Sequence, residues 1–213
     1  MKSRILLPAI FIAVLALSRV PNLLPHNFSV VYAFFFCAGV FFPRNLVWWL
    51  PLAAILATDI GLNFYYQHAY PGENVWSAAN LANLGFNYAA YAVLLRLGRG
   101  FPPGTSLVKL VGGGLLGAIL FYVITNTASW FFNPFGNAEY TKTIVGWILA
   151  LTKGVNGFPS TLEFFRNTLL SCGLFTALFA LGAKLTAESP AEKNAGQREP
   201  EAPAATEPEE AQA

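Results

Sequence analysis

Three charged residues inside apolar runs, Asp59, Glu163 and Arg166, are the groups in this chain best placed to do chemistry. A charge at the centre of a bilayer costs about 2.5–3.5 kcal/mol on insertion scales, so each is expected to turn inward and be paired. Arg166 is expected to pair with Asp59, or with Glu163 one turn above it on the same helix face. Its planar fork also suits a carboxylate or phosphate on a ligand. Asn80, Asn83 and Asn87 recur at helical spacing and share one face. Asn63 follows Asp59 by one turn, Asn126 lies beside Thr125 and near Ser129 and Trp130, and Asn167 adjoins Arg166. His26 and His68, the two histidines, fall in connecting loops, where either is able to close over a ligand.

Other chemistries are poorly served. A histidine with a carboxylate can move protons, yet no nucleophile stands beside a base. Cys37 and Cys172 lie in apolar runs without His or Cys at ligand spacing, and read as small buried hydrophobes. The run Gly112-Gly113-Gly114-Leu115-Leu116-Gly117 is not followed by Lys-Ser/Thr, so it is no phosphate loop. Its Gly113-xxx-Gly117 spacing suits a helix-packing face. No basic-aromatic stripe offers itself to nucleic acid. No catalytic residue, metal or cofactor is expected.

The elements that must carry these residues follow from composition. Of 213 residues 55% are hydrophobic and 11% charged, and mean hydropathy is +0.49. Soluble domains carry about 25% charged residues, so the solvent of this chain is lipid. A hydrocarbon layer of about 30 Å needs roughly 20 apolar residues in helical form. Six segments approach that: 4–18, 28–42, 46–64, 77–96, 107–132 and 160–184. Pro21 and Pro25, Pro43, and Pro102-Pro103 mark breaks between them. Residues 141–153 are too short to span and read as an interfacial helix across one mouth of the bundle. The expected fold is an all-α membrane protein, a bundle of about six transmembrane helices over residues 1–186. Residues 187–213 form an acidic Pro/Ala/Glu tail with no aromatic residue, expected to be disordered. Lys2 and Arg4, the apolar run and Ala16-Leu17-Ser18 also resemble a signal peptide, the competing reading of the first segment.

Orientation is read from basic residues near segment ends. With both termini in the cytoplasm, Lys2, Arg4, Arg44, Arg96, Arg99, Lys109 and Lys184 lie inside, and Arg19, Lys142, Lys153 and Arg166 outside. The polar residues then gather in the outer third of the membrane. Held there only as glue between helices, each would contribute about 0.6 kcal/mol. As a set on one side, they suit a binding pocket better. Trp130 is the aromatic best placed to enter it, since Trp48 and Trp49 read as anchors at the opposite interface.

The runs Pro25-His26-Asn27-Phe28-Ser29, Thr58-Asp59, Ile124-Thr125-Asn126 and Phe164-Phe165-Arg166-Asn167-Thr168-Leu169-Leu170 carry a resemblance. Over about residues 4–184 the chain resembles an uncharacterised bacterial membrane family similar to the substrate-binding S components of energy-coupling-factor (ECF) vitamin transporters. That resemblance implies a six-helix bundle of the bacterial inner membrane, capturing a small molecule near its outer face beneath capping loops. It implies as partners a transmembrane scaffold protein and ATPase subunits. Ala9, Ala13 and Ala16 fit the small-residue face by which S components dock on the scaffold. The expected function is therefore a substrate-capture subunit. The competing readings are a structural or assembly protein of the membrane without a ligand, and a membrane enzyme using Asp59, Glu163 or His26 as acid or base.

Overall fold

The structure, a computed structural model, describes residues 2–186, and the acidic tail at 187–213 lies outside the described residues. Among the described residues every element is helical. The order is α1 (Lys2–Ser18), α2 (Val31–Phe41), α3 (Leu50–Ala69), α4 (Ala78–Gly98), α5 (Leu107–Phe132), α6 (Ile144–Thr152) and α7 (Thr161–Leu185). Each of the six long apolar segments has become a helix, and 141–153 holds the nine-residue α6. Two helices are long and apolar enough to cross a membrane by length and composition, α5 with 26 residues and α7 with 25.

Helix α2 is the hub. It has 11 residues, and all ten from Val31 to Val40 are buried. A helix that is apolar all round must be enclosed on every side. Here α4, α5 and α7 enclose it and α1 packs on its end, where Phe11 stacks on Phe179 at 4.1 Å and meets Phe42 at 5.7 Å. Phe11 and Leu15 seat α1 in this core.

Glycines set the tightest crossings. A Cβ on Gly39 would lie 2.4 Å from the Leu95 carbonyl oxygen, and one on Gly98 would lie 2.1 Å from that of Phe36. Helices α2 and α4 therefore touch backbone to backbone, which only residues without a side chain permit. The glycine face foreseen on α5 is present. A Cβ on Gly113 would meet Phe36 and Phe101, and one on Gly114 would meet Thr176 of α7.

Helix α3 differs from these. It touches α1 and α2 over short stretches and has no comparable packing against α4. It also continues to Ala69, past the expected end near residue 64. Asp59 consequently lies near mid-helix, about 14 Å along from Leu50 at 1.5 Å per residue.

Candidate functional site

Short elements make the site. Between α1 and α2 the chain runs irregularly over residues 19–30, with Asn22 and Asn27 in the left-handed region at φ 61° and 56°. Asparagine tolerates that conformation better than most residues. Because α2 spans only about 17 Å, this segment dips into the end of the bundle instead of passing over it. A cavity of about 970 Å³ lies there, bounded by residues of segment 19–30, the facing ends of α3, α4, α5 and α7, and the loops flanking α6.

Aromatic faces and neutral polar groups line it. Tyr122 stacks on Phe165 at 4.1 Å, Tyr91 on Phe121 at 5.4 Å, and Tyr32 meets Phe121 at 4.7 Å. Between these rings lie Asn83 and Asn87 of α4, Thr125 and Asn126 of α5, and Thr161 and Thr168 of α7. Asn126 donates to the Tyr122 carbonyl at 2.8 Å and Thr125 to that of Phe121 at 2.9 Å, both within their own helix. Asn83 and Asn87 make no side-chain hydrogen bond to the protein among the described residues. Tyr140 also lines the cavity, and burial, followed by the nearby Glu139 charge, raises its phenol pKa above the ordinary value. Glu139 itself accepts from the Asn156 backbone N–H at 3.1 Å, which lowers its pKa below the usual carboxylate value.

The buried carboxylate has a different partner from the one expected. Asp59 is 7% exposed and forms an ion pair with Arg19, not with Arg166. Its other oxygen accepts from the Tyr88 hydroxyl at 3.0 Å. Three elements thus meet at one carboxylate: the end of α1, the middle of α3 and α4. Arg19 wins because α1 stops at Ser18, at the level of the middle of α3. Helical phase decides against Arg166. The buried stripe of α7 includes Thr161, Thr168, Cys172, Thr176 and Phe179, while Leu162, Arg166 and Leu170 are exposed together on the opposite side. Arg166 is therefore neither inward-facing nor paired with a carboxylate among the described residues.

The remaining sequence candidates divide by location. His26, Asn83, Asn87 and Asn126 line the cavity. Asn63 and Asn80 line a neighbouring groove of about 420 Å³ between α3 and α4, which shares Tyr66, Asn83 and Asn87 with the cavity. Asn80 is occupied there in holding the loop, donating to the Asn74 carbonyl at 3.0 Å. Glu163, exposed rather than inward, closes a capping box with Ser160 at the start of α7. Trp130 ties down the α5–α6 connection, donating to the Thr141 carbonyl at 2.6 Å with Lys142 over its ring. Asn167 donates to the His26 carbonyl at 2.9 Å and so pins segment 19–30 to α7. Cys37 and Cys172 are free and buried, as expected.

Sequence reasoning passed over Arg19, Tyr32, Tyr122 and Thr168. Arg19 carried a signal nonetheless: it is the one Lys or Arg between Arg4 and Arg44, directly after an apolar run. Residues 1–194 match the model of a protein family described as a family of unknown function (DUF6580). No curated protein and no solved structure matches.

Proposed function

The chain belongs to the family of unknown function DUF6580, and since that membership brings no activity with it, we propose a function from the site itself. The protein is a membrane-embedded capture subunit that binds a small molecule in the cavity beneath segment 19–30. The observation that carries this reading is the cavity, about 970 Å³ of aromatic and amide-lined space at one end of the bundle. Ligand sites of drug-sized molecules run from about 300 to 1,000 Å³.

The free amides favour capture over the ligand-free structural reading. Glue residues bond across helices, whereas Asn126 and Thr125 bond within α5 and Asn83 and Asn87 leave their amides to the cavity. In this reading α1–α5 and α7 are six membrane-crossing helices, α2 crossing inside protein, with both termini in the cytoplasm of a bacterial inner membrane. Exposed apolar rows support it, among them Leu56, Ile60 and Phe64 on α3 and Leu170, Leu174 and Leu178 on α7. Such exposed apolar rows are what lipid contact asks for. The resemblance to ECF S components adds a scaffold and ATPases as partners. Ala9, Ala13 and Ala16 are all exposed on α1, as a docking face requires.

Mass spectrometry of small molecules that co-purify with the detergent-solubilised protein tests the proposal. A stoichiometric ligand, displaced by Asn87→Leu, is expected. A protein that carries no ligand from its native membrane, and binds none from a metabolite extract, overturns it.

A further inference from the structure

We infer that the cavity is built for an aromatic carboxylate, with Arg19 as the anchor of its acid group. This rests on the capture reading and names the class of ligand that reading requires. The first observation is the charge of the walls. Arg19 is the one Asp, Glu, Lys or Arg side chain that lines the cavity. A cationic ligand would enter this low-dielectric space without a counter-charge, whereas an anion meets one.

The second observation is how Arg19 is held. Both oxygens of Asp59 are taken, one by Arg19 Nη2 and the other by Tyr88 Oη. Asp59 does not line the cavity; it stands behind Arg19 and fixes the plane of its guanidinium. Only Nη2 is committed in this pair, and among the described residues Nη1 donates to nothing. One planar group with two oxygens matches the amino groups that the guanidinium has to offer. Asp59 already answers part of the arginine charge, so a single negative charge suits the site better than the double charge of a phosphate monoester. The rest of the ligand is read from the walls. Tyr122, Phe165 and Phe121 line the cavity, and an aromatic body is the matching surface for such walls. Asn83, Asn87 and Asn126 supply donors and acceptors for ring heteroatoms.

The test is isothermal titration of the purified full chain in detergent with four probes: 2-naphthoate, 2-naphthamide, 2-naphthylmethylamine and decalin-2-carboxylate. The acid is expected to bind at least tenfold tighter than the isosteric amide and the saturated acid, with no detectable binding of the amine. Arg19→Lys, which keeps the charge and loses the fork, should narrow the preference for the acid over the amide. Equal affinity for naphthoate and naphthamide overturns the inference and leaves the capture reading standing. Equal affinity for the naphthoate and the saturated acid overturns its aromatic half. Binding of none of the four also overturns it, and capture is then judged by the co-purifying ligand alone. If Arg19→Lys does not fold, the four-probe comparison on the unaltered chain decides the matter.

Discussion

Arg19 and Tyr88 lie 40 and 29 residues from Asp59 in sequence, and they meet it because a carboxylate at mid-helix has no other way to be satisfied. Removing one partner from a buried pair leaves a charge stranded, at a cost of about 3–5 kcal/mol. Asp59→Ala is therefore expected to lower thermal stability in detergent by that amount. Arg166→Ala, on an exposed stripe with no carboxylate partner among the described residues, should stay within about 0.5 kcal/mol. Equal losses from the two variants would return Arg166 to the role of structural partner. Tyr88→Phe removes one neutral-to-charged hydrogen bond and should fall between them, near 1.5–3 kcal/mol.

Helix crossings are decided by small residues, and the same substitution has opposite signs at two glycines. Gly98→Ala forces a methyl group against the Phe36 carbonyl and drives α2 and α4 apart, costing about 1–3 kcal/mol or more. Gly61→Ala on α3 meets nothing within 4 Å and should gain roughly 0.5–1 kcal/mol from helix propensity. Detergent melting of both variants checks the crossing directly; two stabilised proteins would mean that α2 and α4 do not touch. The connections have their own electrostatics. Glu139 keeps its proton off more readily in the fold than in the unfolded chain, so its hold on the Asn156 N–H is complete at neutral pH. That contribution vanishes as pH falls through the lowered pKa, below the ordinary carboxylate range. At neutral pH the Asn156 amide should exchange more slowly than in Glu139→Gln, the two rates should converge as pH falls through that pKa, and equal rates at neutral pH would exclude the loop tie.

At the scale of the whole molecule, core and site occupy different levels of one bundle. The α2 hub and the glycine crossings hold one end together, while segment 19–30 and the polar ends of α4, α5 and α7 surround the cavity at the other. The proposed orientation puts the cavity outside. Cysteine at position 73, in the α3–α4 connection, is expected to react with an impermeant maleimide applied to intact cells, and cysteine at position 99 only after permeabilisation. Cys37 and Cys172 are buried and should add little background. The reverse pattern would turn the cavity to the cytoplasm and end the proposal of uptake from outside.

Hydropathy and proline placement were enough to find the helices, because a run of apolar residues in helical form is a local property that each segment carries by itself. The glycine face of α5, the short helix at 144–152 and the burial of the two cysteines were legible for the same reason. Asn83, Asn87 and Asn126, singled out by their placement at one level of the bundle, and His26, singled out as a loop residue, all line the cavity. Partnership was not legible. Choosing between Arg19 and Arg166 for Asp59 depends on where α1 stops relative to α3 and on which side of α7 faces the core. Both are matters of phase and offset between elements distant in sequence. Glu163 read as an inward acid because spacing alone cannot tell a capping box from a binding carboxylate until the helix start is placed at Ser160. The sequence by itself determined the helices and the end of the bundle where polar groups collect. Only the packing of seven helices decided which charges meet, since α2 is short enough to draw segment 19–30, and Arg19 with it, down to the level of Asp59.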